Sequence, residues 1–252
     1  MGIDITISDG IAEVVMANPP VNALTVAGWF ELADIVTEAG RDPSVGALVL
    51  RAEGKGFNAG VDIKEMQSTE GFDALIGANK GCYAAFAAVY GCEVPVIAAV
   101  HDFCLGGGIG LVGSADIVVA AHGTRFGLPE VNQGALGGAT HLARLVPQHK
   151  MREMVFTAEP IAVETMAAWG SVAAVVPLAD LRETAMGYAR TICTKSRLVI
   201  RRAKECLNGI DPHEPNRSYR FEQGFTFELN LTGVSDEARD AFVAKTGARF
   251  TK

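Results

Sequence analysis

The chain has 252 residues, of which 49% are hydrophobic and 20% charged, and its formal net charge at pH 7 is −7. This length and composition are typical of one sizeable globular domain with an appendage, and the acidic balance disfavours a nucleic-acid partner. We find no apolar run of membrane-span length and no signal-peptide pattern at the start. We therefore expect a cytoplasmic protein without a membrane partner.

Strand and helix signals alternate along the chain from its start. Residues 3 to 17 contain two strand-like runs around Ser8-Asp9-Gly10, which is a hairpin signal. Apolar residues recur with helical spacing over 26–39 and again over 72–90, with a buried strand predicted at 45–50 between them. Strands that alternate with helices predict parallel strands joined by crossover helices. Beyond Pro160 the pattern is helical, and predicted helices cover 162–169, 180–194, 196–207, 218–231 and 235–246, with Ser235 as an N-cap.

Residues 51 to 66 form a permissive loop followed by a helix start. Gly54, Gly56 and Gly60 lie in the loop, and the pair Asp62 and Glu65 has the spacing of a capping box. We interpret Asp62 as a helix cap rather than as a catalytic carboxylate. The N–H group just ahead of this cap belongs to residue 61, and it is free to face a pocket.

The strongest functional signal lies between residues 98 and 141. An apolar run ends in Gly106-Gly107-Gly108, a stretch of small and apolar residues follows, and a second apolar run precedes Pro129-Glu130. This order predicts strand, glycine turn, helix, strand, and a loop that carries a carboxylate. Glycines let the backbone approach a ligand closely, and a helix start adds the positive end of its dipole.

Three interpretations of the glycines remain open at this point. They can serve tight packing alone, or they can bind a dinucleotide, since residues 108–113 fit G-x-G-x-x-G. They can also form half of an oxyanion hole, with the N–H of Val61 as the second donor. The dinucleotide alternative is disfavoured because no acidic residue for a ribose follows the next apolar run, which ends at Ala121-His122.

The cysteines and most histidines predict no metal or redox centre. The five cysteines lack C-x-x-C spacing and are typical of reduced core thiols in a cytoplasmic protein. Four histidines show no metal-ligand spacing: His101, His122, His149 and His213. The fifth, His141, follows Gly137-Gly138 near the expected pocket floor. It either donates to the backbone and holds this loop, or carries a proton together with Glu130.

Three segments resemble the crotonase, or enoyl-CoA hydratase/isomerase, superfamily: GKGFNAGVDIKEM at 54–66, FCLGGGIGLVGSADIVVAA at 103–121 and FGLPEV at 126–131. Weaker matches at 20–24 and 169–177 extend the resemblance over nearly the whole chain. It implies an α/β fold with a crotonase-like spiral core of repeated ββα units over 1–195 and a C-terminal helical segment over 196–252. It also implies an acyl-CoA thioester substrate, no cofactor apart from that coenzyme A, and a homotrimer or a dimer of trimers.

The resemblance assigns roles to individual residues of this chain. The N–H groups of Val61 and Gly107 would hold the thioester carbonyl, and Glu130 would be the catalytic base. From their residue types and their place beside Glu130, we also expect Asn132 and Gln133 to hydrogen-bond a ring ketone. The expected substrate contacts are Val21, Ala23, Ala59, Ile63, Gly110 and Asn132.

One departure from the family pattern narrows the predicted activity. Hydratases of this family usually carry two glutamates, and Gly110 occupies the first of these positions. We expect the glycine to make room for a bulky fused-ring substrate. The segments at 53–72, 105–116, 127–149 and 218–231 resemble the ring-cleaving branch of the superfamily, which hydrolyses a carbon–carbon bond of a bicyclic dione CoA thioester in actinobacterial cholesterol breakdown. The alternatives are an enoyl-CoA hydratase or isomerase and a non-catalytic CoA-binding assembly protein.

Overall fold

The computed structural model describes residues 2–69, 71–244 and 246. Its strands are β1 (Gly2–Ser8), β2 (Ile11–Ala17), β3 (Ala47–Ala52), β4 (Val96–Val100), β5 (Phe103–Leu105), β6 (Ile117–Ala121), β7 (Arg125–Gly127), β8 (Ile161–Ala162) and β9 (Ala174–Val176). Its α-helices are α1 (Val26–Arg41), α2 (Ile63–Ser68), α3 (Asp73–Tyr90), α4 (Gly107–Ser114), α5 (Ala139–Leu142), α6 (Gln148–Thr157), α7 (Val163–Ala168), α8 (Leu178–Cys193), α9 (Arg197–Gly209), α10 (Pro215–Leu231) and α11 (Val234–Val243). A 3₁₀ turn spans Glu130–Gln133.

A six-stranded sheet in the order β1-β2-β3-β4-β6-β9 forms the centre of the molecule. The β1–β2 pair is antiparallel, and every other neighbouring pair is parallel. Asp9 and Gly10 both adopt positive φ angles, as a two-residue hairpin turn requires. The predicted hairpin and the predicted parallel strands are therefore confirmed. A second, three-stranded sheet has the order β5-β7-β8.

The central strands are buried on both faces, which explains why they read as continuous apolar runs. Along β3, Leu48 and Leu50 point into the larger core cluster, while Val49 belongs to the smaller cluster on the opposite face. Helices α1, α3 and α4 contribute to the larger cluster, and α8 covers the other face through buried residues such as Leu181 and Ala185. The glycine turn at the start of α4 is thereby held against a rigid core.

Several local predictions are settled by the helix ends and the cysteines. Asp62 caps α2, because its carboxylate accepts a hydrogen bond from the Lys64 N–H at 2.9 Å. Ser235 is not a cap: α11 begins at Val234, and the buried Ser235 hydroxyl donates to the Gly134 carbonyl instead. All five cysteines are free, but Cys206 is exposed rather than in the core.

The C-terminal helices follow the α/β part without a long linker. α8 ends at Cys193 and α9 begins at Arg197, so the predicted division near residue 195 falls between these two helices. That division into two domains stays a prediction. The predicted last helix extends to residue 246 and thus includes Lys245, which lies outside the described residues. No helix within the described part of the chain is long and apolar enough to cross a membrane.

Candidate active site

The two backbone donors predicted from the sequence belong to segments that lie in contact. A Cβ atom built on Gly60 would lie 3.0 Å from the Gly107 nitrogen, and Gly60 itself has a φ of +92°. Only glycine allows this close approach in this backbone conformation. Within the described residues, neither the Val61 N–H nor the Gly107 N–H donates a hydrogen bond to the protein, whereas the neighbouring Gly106 N–H donates to Gly127 at 3.1 Å. Two unpaired N–H groups beside a cavity form the geometry of an oxyanion hole.

A buried asparagine that the sequence analysis did not single out fixes this loop. The Asn58 side-chain oxygen accepts a hydrogen bond from the Gly60 N–H at 2.8 Å, and its amide donates to the Asn22 carbonyl at 2.5 Å. The Asn58 carbonyl also accepts from the Leu105 N–H at 2.9 Å, which joins the loop to β5. Asn58 thus holds the first donor segment against the second. An asparagine two residues before a glycine in a loop, which is the spacing of a side-chain-to-backbone turn, was the available signal.

A cavity of about 280 Å³ opens in front of the two donors. Its apolar wall is one face of α3, formed by Leu75, Ala78, Cys82 and Phe86, and Ala59 and Ile63 line the side nearest the donors. The far wall comes from the C-terminal helices. It is formed by Tyr219, Thr226, Asn230, Arg239 and Phe242. A mostly apolar cavity with a few polar groups is typical of a small-molecule site.

Glu130 is the carboxyl group of this cavity. It begins the 3₁₀ turn, and a Cβ atom built on Gly106 would lie 3.0 Å from its Oε1, so the carboxyl lies against the glycine turn. Its Oε2 is buried without a hydrogen-bond partner among the described residues. Burial raises the pKa of Glu130 from 4.5 to about 8, and repulsion by the Glu222 carboxylate adds to this. A carboxyl that titrates near neutral pH is suited to proton transfer.

Glu222 of α10 is hydrogen-bonded to the first residues of α5, which follow the cavity-lining residues Gly137 and Gly138. Its carboxylate accepts hydrogen bonds from the N–H groups of Ala139 at 2.9 Å and Thr140 at 2.6 Å, and from the Thr140 hydroxyl. Burial raises the pKa of Glu222 as well. Helix α10 is therefore fixed to the start of α5, directly after the Gly137-Gly138 segment that lines the cavity.

The expectation that Gly110 opens space for the substrate is wrong in its direct form. A Cβ atom at Gly110 would lie 2.2 Å from Cζ of Phe86, so the aromatic ring already occupies that space. Gly110 is buried in α4 and is not part of the cavity wall, whereas Phe86 is. The absence of a side chain at Gly110 therefore accommodates the ring of Phe86, and it is this ring that lines the cavity.

His141 lies in an aromatic cluster rather than in the cavity wall. Its ring centroid is 4.9 Å from that of Phe86 and 4.9 Å from that of Tyr219. Burial lowers the pKa of His141 to about 3, so the ring is neutral. Neither ring nitrogen has a hydrogen-bond partner in the described part of the chain, so the expected bond to the backbone is not formed. Its proposed role as a proton carrier for Glu130 has no direct contact to support it.

The remaining predicted contacts divide into two groups. Ala59 and Ile63 line the cavity, as expected for substrate-binding residues. Val21 and Ala23 do not line it, but their segment runs beside the donor loop, since the Ala59 N–H donates to the Val21 carbonyl at 3.1 Å.

The prediction for residue 132 needs a correction. Asn132 is exposed and not part of the cavity wall, because the 3₁₀ turn directs its neighbour Gln133 inward instead. Of the two residues expected to bond a ring ketone, Gln133 therefore lies in the cavity wall and Asn132 does not.

Comparison with known proteins gives a consistent result. Residues 6–252 match the family model described as enoyl-CoA hydratase/isomerase. The (7aS)-7a-methyl-1,5-dioxo-2,3,5,6,7,7a-hexahydro-1H-indene-carboxyl-CoA hydrolase of Rhodococcus jostii is 60% identical over 96% of this chain and 95% of its own length. The protein of the same name from Mycobacterium tuberculosis is 61% identical over 94% of this chain and 96% of its own. Among solved structures, a carnitinyl-CoA hydratase from Mycobacterium avium has a TM-score of 0.87 at 27% identity, with 99% and 98% of the two chains covered.

Proposed function

The chain belongs to the enoyl-CoA hydratase/isomerase family, the crotonase superfamily, and we propose that it is the enzyme that hydrolyses a ring carbon–carbon bond of a bicyclic dione CoA thioester in steroid degradation. The two relatives that are 60% and 61% identical carry a hexahydroindene dione CoA thioester in their names. A relative named as a probable enoyl-CoA hydratase, from Mycobacterium bovis, is 31% identical. The large difference in identity favours ring hydrolysis over hydration or isomerisation.

One observation in the site carries this proposal: a complete oxyanion pair is combined with a single carboxyl group. Syn hydration is usually drawn with two carboxylates that share one water. Here the position of the first carboxylate is Gly110, and the ring of Phe86 fills the adjacent space. Among the described residues, the cavity wall thus offers two N–H groups for a thioester carbonyl and one carboxyl group, without the second acid of a hydratase.

The reaction begins with water activation by Glu130. The thioester carbonyl oxygen lies between the Val61 and Gly107 N–H groups, and the ionised Glu130 takes a proton from water. The hydroxide oxygen bonds to the ring ketone carbon beside the methyl-bearing quaternary carbon, and the carbonyl π pair moves to oxygen. Collapse of this adduct breaks the bond to the quaternary carbon and leaves a carboxylic acid.

The electron pair released at the quaternary carbon passes through the ring double bond into a conjugated enolate of the thioester. The proton held by Glu130 returns to carbon, so the net change is the addition of one water. The oxyanion hole then stabilises the negative charge of this enolate, which is absent from the bound substrate. An interaction that strengthens only along the reaction path raises the rate instead of merely tightening substrate binding. One such donor typically contributes about 10²–10³-fold in kcat.

The cofactor, assembly and location follow from the same proposal. Coenzyme A takes part as the carrier of the acyl group, and the reaction uses no separate cofactor. We place the enzyme in the cytoplasm as a homotrimer or a dimer of trimers. Assembly is supported by exposed apolar side chains on α9, where Leu198 is 66% and Val199 is 61% exposed.

Product analysis tests the proposed function. The protein is incubated in parallel with the bicyclic dione CoA thioester and with crotonyl-CoA, and the products are examined by NMR, because hydration and ring hydrolysis add the same mass. Ring hydrolysis gives a new carboxylate carbon and removes one ketone signal. Rapid hydration of crotonyl-CoA, with the dione thioester left intact, would contradict the proposal. Glu130→Gln is the control, since it should retain CoA-ester binding and lose most turnover.

A further inference from the structure

We infer that Asn79, Gln133 and Glu130 form a second polar subsite, in which Asn79 donates a hydrogen bond to the attacked ring ketone and the other two hold the attacking water. This inference rests on the proposed function and deepens it. The thioester oxyanion hole accounts for one carbonyl of the substrate only. Attack on a ketone creates a second oxyanion at a different atom, and that charge needs a donor of its own.

The inference starts from buried polar atoms without partners. Within the described residues, such side-chain atoms are Trp29 Nε1, Asn79 Nδ2, Glu130 Oε2, Gln133 Oε1 and both ring nitrogens of His141. Asn79, Glu130 and Gln133 line the cavity, and the other two residues do not. Buried polar groups are almost always hydrogen-bonded in folded proteins. Unpaired ones in a cavity wall therefore indicate where a ligand supplies the missing partner.

Asn79 is the polar member of an otherwise apolar helix face. Leu75, Ala78, Cys82 and Phe86 lie with it on the side of α3 that lines the cavity, at helical spacing. The turn that carries Asn79 is fixed from outside, because Gln223 of α10 donates to its backbone carbonyl at 2.7 Å. A carboxamide held in an apolar wall is a preorganised donor, and it is worth more there than in water.

Glu130 and Gln133 lie at the two ends of one 3₁₀ turn. Residues three apart in such a turn eclipse each other, so the two side chains project from the same side. Each presents a buried oxygen that accepts no hydrogen bond from the described residues. A water molecule has two hydrogens and fits two such acceptors, one of which takes the proton while the other keeps the water oriented.

Three other polar side chains of the cavity wall, those of Thr226, Asn230 and Arg239, are already partnered. The Thr226 hydroxyl donates to the Leu136 carbonyl and accepts from its N–H, and the Asn230 side chain bonds to Arg239 and to the Thr226 carbonyl. The buried side-chain atoms of the wall that lack a partner are thus one donor and two acceptors. This set fits the hydrolysis of a ketone, whereas hydration of a carbon–carbon double bond needs no second donor.

The chemical step uses these groups in sequence. Water transfers one proton to the Glu130 carboxylate, while its other hydrogen keeps its hydrogen bond to the side-chain oxygen of Gln133. The water oxygen bonds to the ketone carbon, and the π pair moves to the ketone oxygen, where the Asn79 N–H stabilises it. When the adduct collapses, that pair re-forms the C=O bond of the new acid and the ring carbon–carbon bond breaks. The electron pair of the broken bond passes into the conjugated thioester enolate, which takes the proton from Glu130 onto carbon.

Asn79→Leu tests the subsite, because it keeps side-chain size and removes the donor. We measure kcat with the bicyclic dione CoA thioester, and the Kd of a CoA thioester of the same ring system that lacks the attacked ketone. The expected result is a loss of about 10²–10³-fold in kcat, with that Kd and the melting temperature unchanged. Gln133→Leu should also lower kcat without changing this Kd, while the matched surface control Asn132→Leu should leave both unchanged.

The outcomes separate the subsite from the proposed function. If the wild type cleaves the dione and folded Asn79→Leu cleaves it with a similar kcat, the subsite is wrong and the function stands. If the wild type does not cleave the dione at all, both are wrong. If Asn79→Leu fails to fold, the isosteric Asn79→Asp makes the same test: a loss of kcat at least as large supports the subsite, and a wild-type kcat overturns it.

Discussion

Replacing Glu130 with glutamine should abolish turnover and, at alkaline pH, make the protein more stable. The Glu130 carboxyl is buried, and burial raises its pKa from 4.5 to about 8. In the unfolded chain the same group titrates near its ordinary value. Between these two pH values the folded protein therefore holds a proton that the unfolded chain has lost.

This difference fixes the sign of the pH dependence. Because the unfolded state binds fewer protons between pH 4.5 and about 8, the Glu130 contribution to the free energy of unfolding falls as the pH rises through that window. At ~1.36 kcal/mol per pKa unit, the complete shift corresponds to roughly 5 kcal/mol, reached above the folded-state pKa. Glutamine does not titrate, so the variant does not lose the free energy of unfolding that the wild type loses when Glu130 ionises. The variant therefore gains stability relative to the wild type as the pH rises.

Denaturant unfolding of both proteins across pH 5 to 9 measures this effect. Other titrating groups cancel in the difference between the two proteins, and the slope of that difference isolates Glu130. A difference that stays constant with pH would refute the reasoning, because it would mean that Glu130 is already ionised in the folded protein at pH 5. The same pKa predicts that wild-type kcat/KM rises with pH up to about 8.

Three further predictions follow from close contacts in the site. Gly60→Ala should lower kcat by more than about 100-fold, because a Cβ there meets the second donor nitrogen at 3.0 Å with φ at +92°; a folded variant with wild-type kcat would exclude the oxyanion pair. Gly110→Ala should lower the free energy of unfolding by about 1–3 kcal/mol through overpacking against Phe86, and Phe86→Leu should restore part of it; equal stability of Gly110→Ala and wild type in denaturant would contradict this. Glu222→Gln should raise KM and lower the pKa of Glu130 in the pH profile of kcat/KM, since a nearby negative charge is removed; an unchanged pKa would show that the two carboxyls do not interact.

Local sequence signals were sufficient for much of this structure. The hairpin, the helices and the strand–glycine–helix order depend on neighbouring residues, and so does the cap at Asp62. The proximity of the two segments that carry the predicted donors was also predictable, because Gly60 and Gly107 mark the two places where their backbones approach each other closely. These features need only the residue types and their spacing.

Other features of the site depend on residues that are far apart in the chain. Nothing near Gly110 in the sequence indicates that Phe86 fills its empty side-chain position. The far wall of the cavity comes from α10 and α11, so a sequence pattern alone could not connect Tyr219 with the turn that carries Glu130. The aromatic neighbours of His141, Phe86 and Tyr219, come from two other helices, so the sequence around His141 does not indicate an aromatic cluster.

The fit between Gly110 and Phe86 makes the two positions interdependent in evolution. Any side chain added at position 110 meets the phenyl ring, and loss of the ring alone leaves a hole in the aromatic cluster with Trp29 and Tyr219. Each of these single substitutions is thus expected to lower the stability of the fold unless the other position changes as well. A glutamate at position 110 would therefore require a smaller residue at position 86. Because Phe86 fills this space, the chain cannot gain a carboxylate at position 110 by a single substitution there.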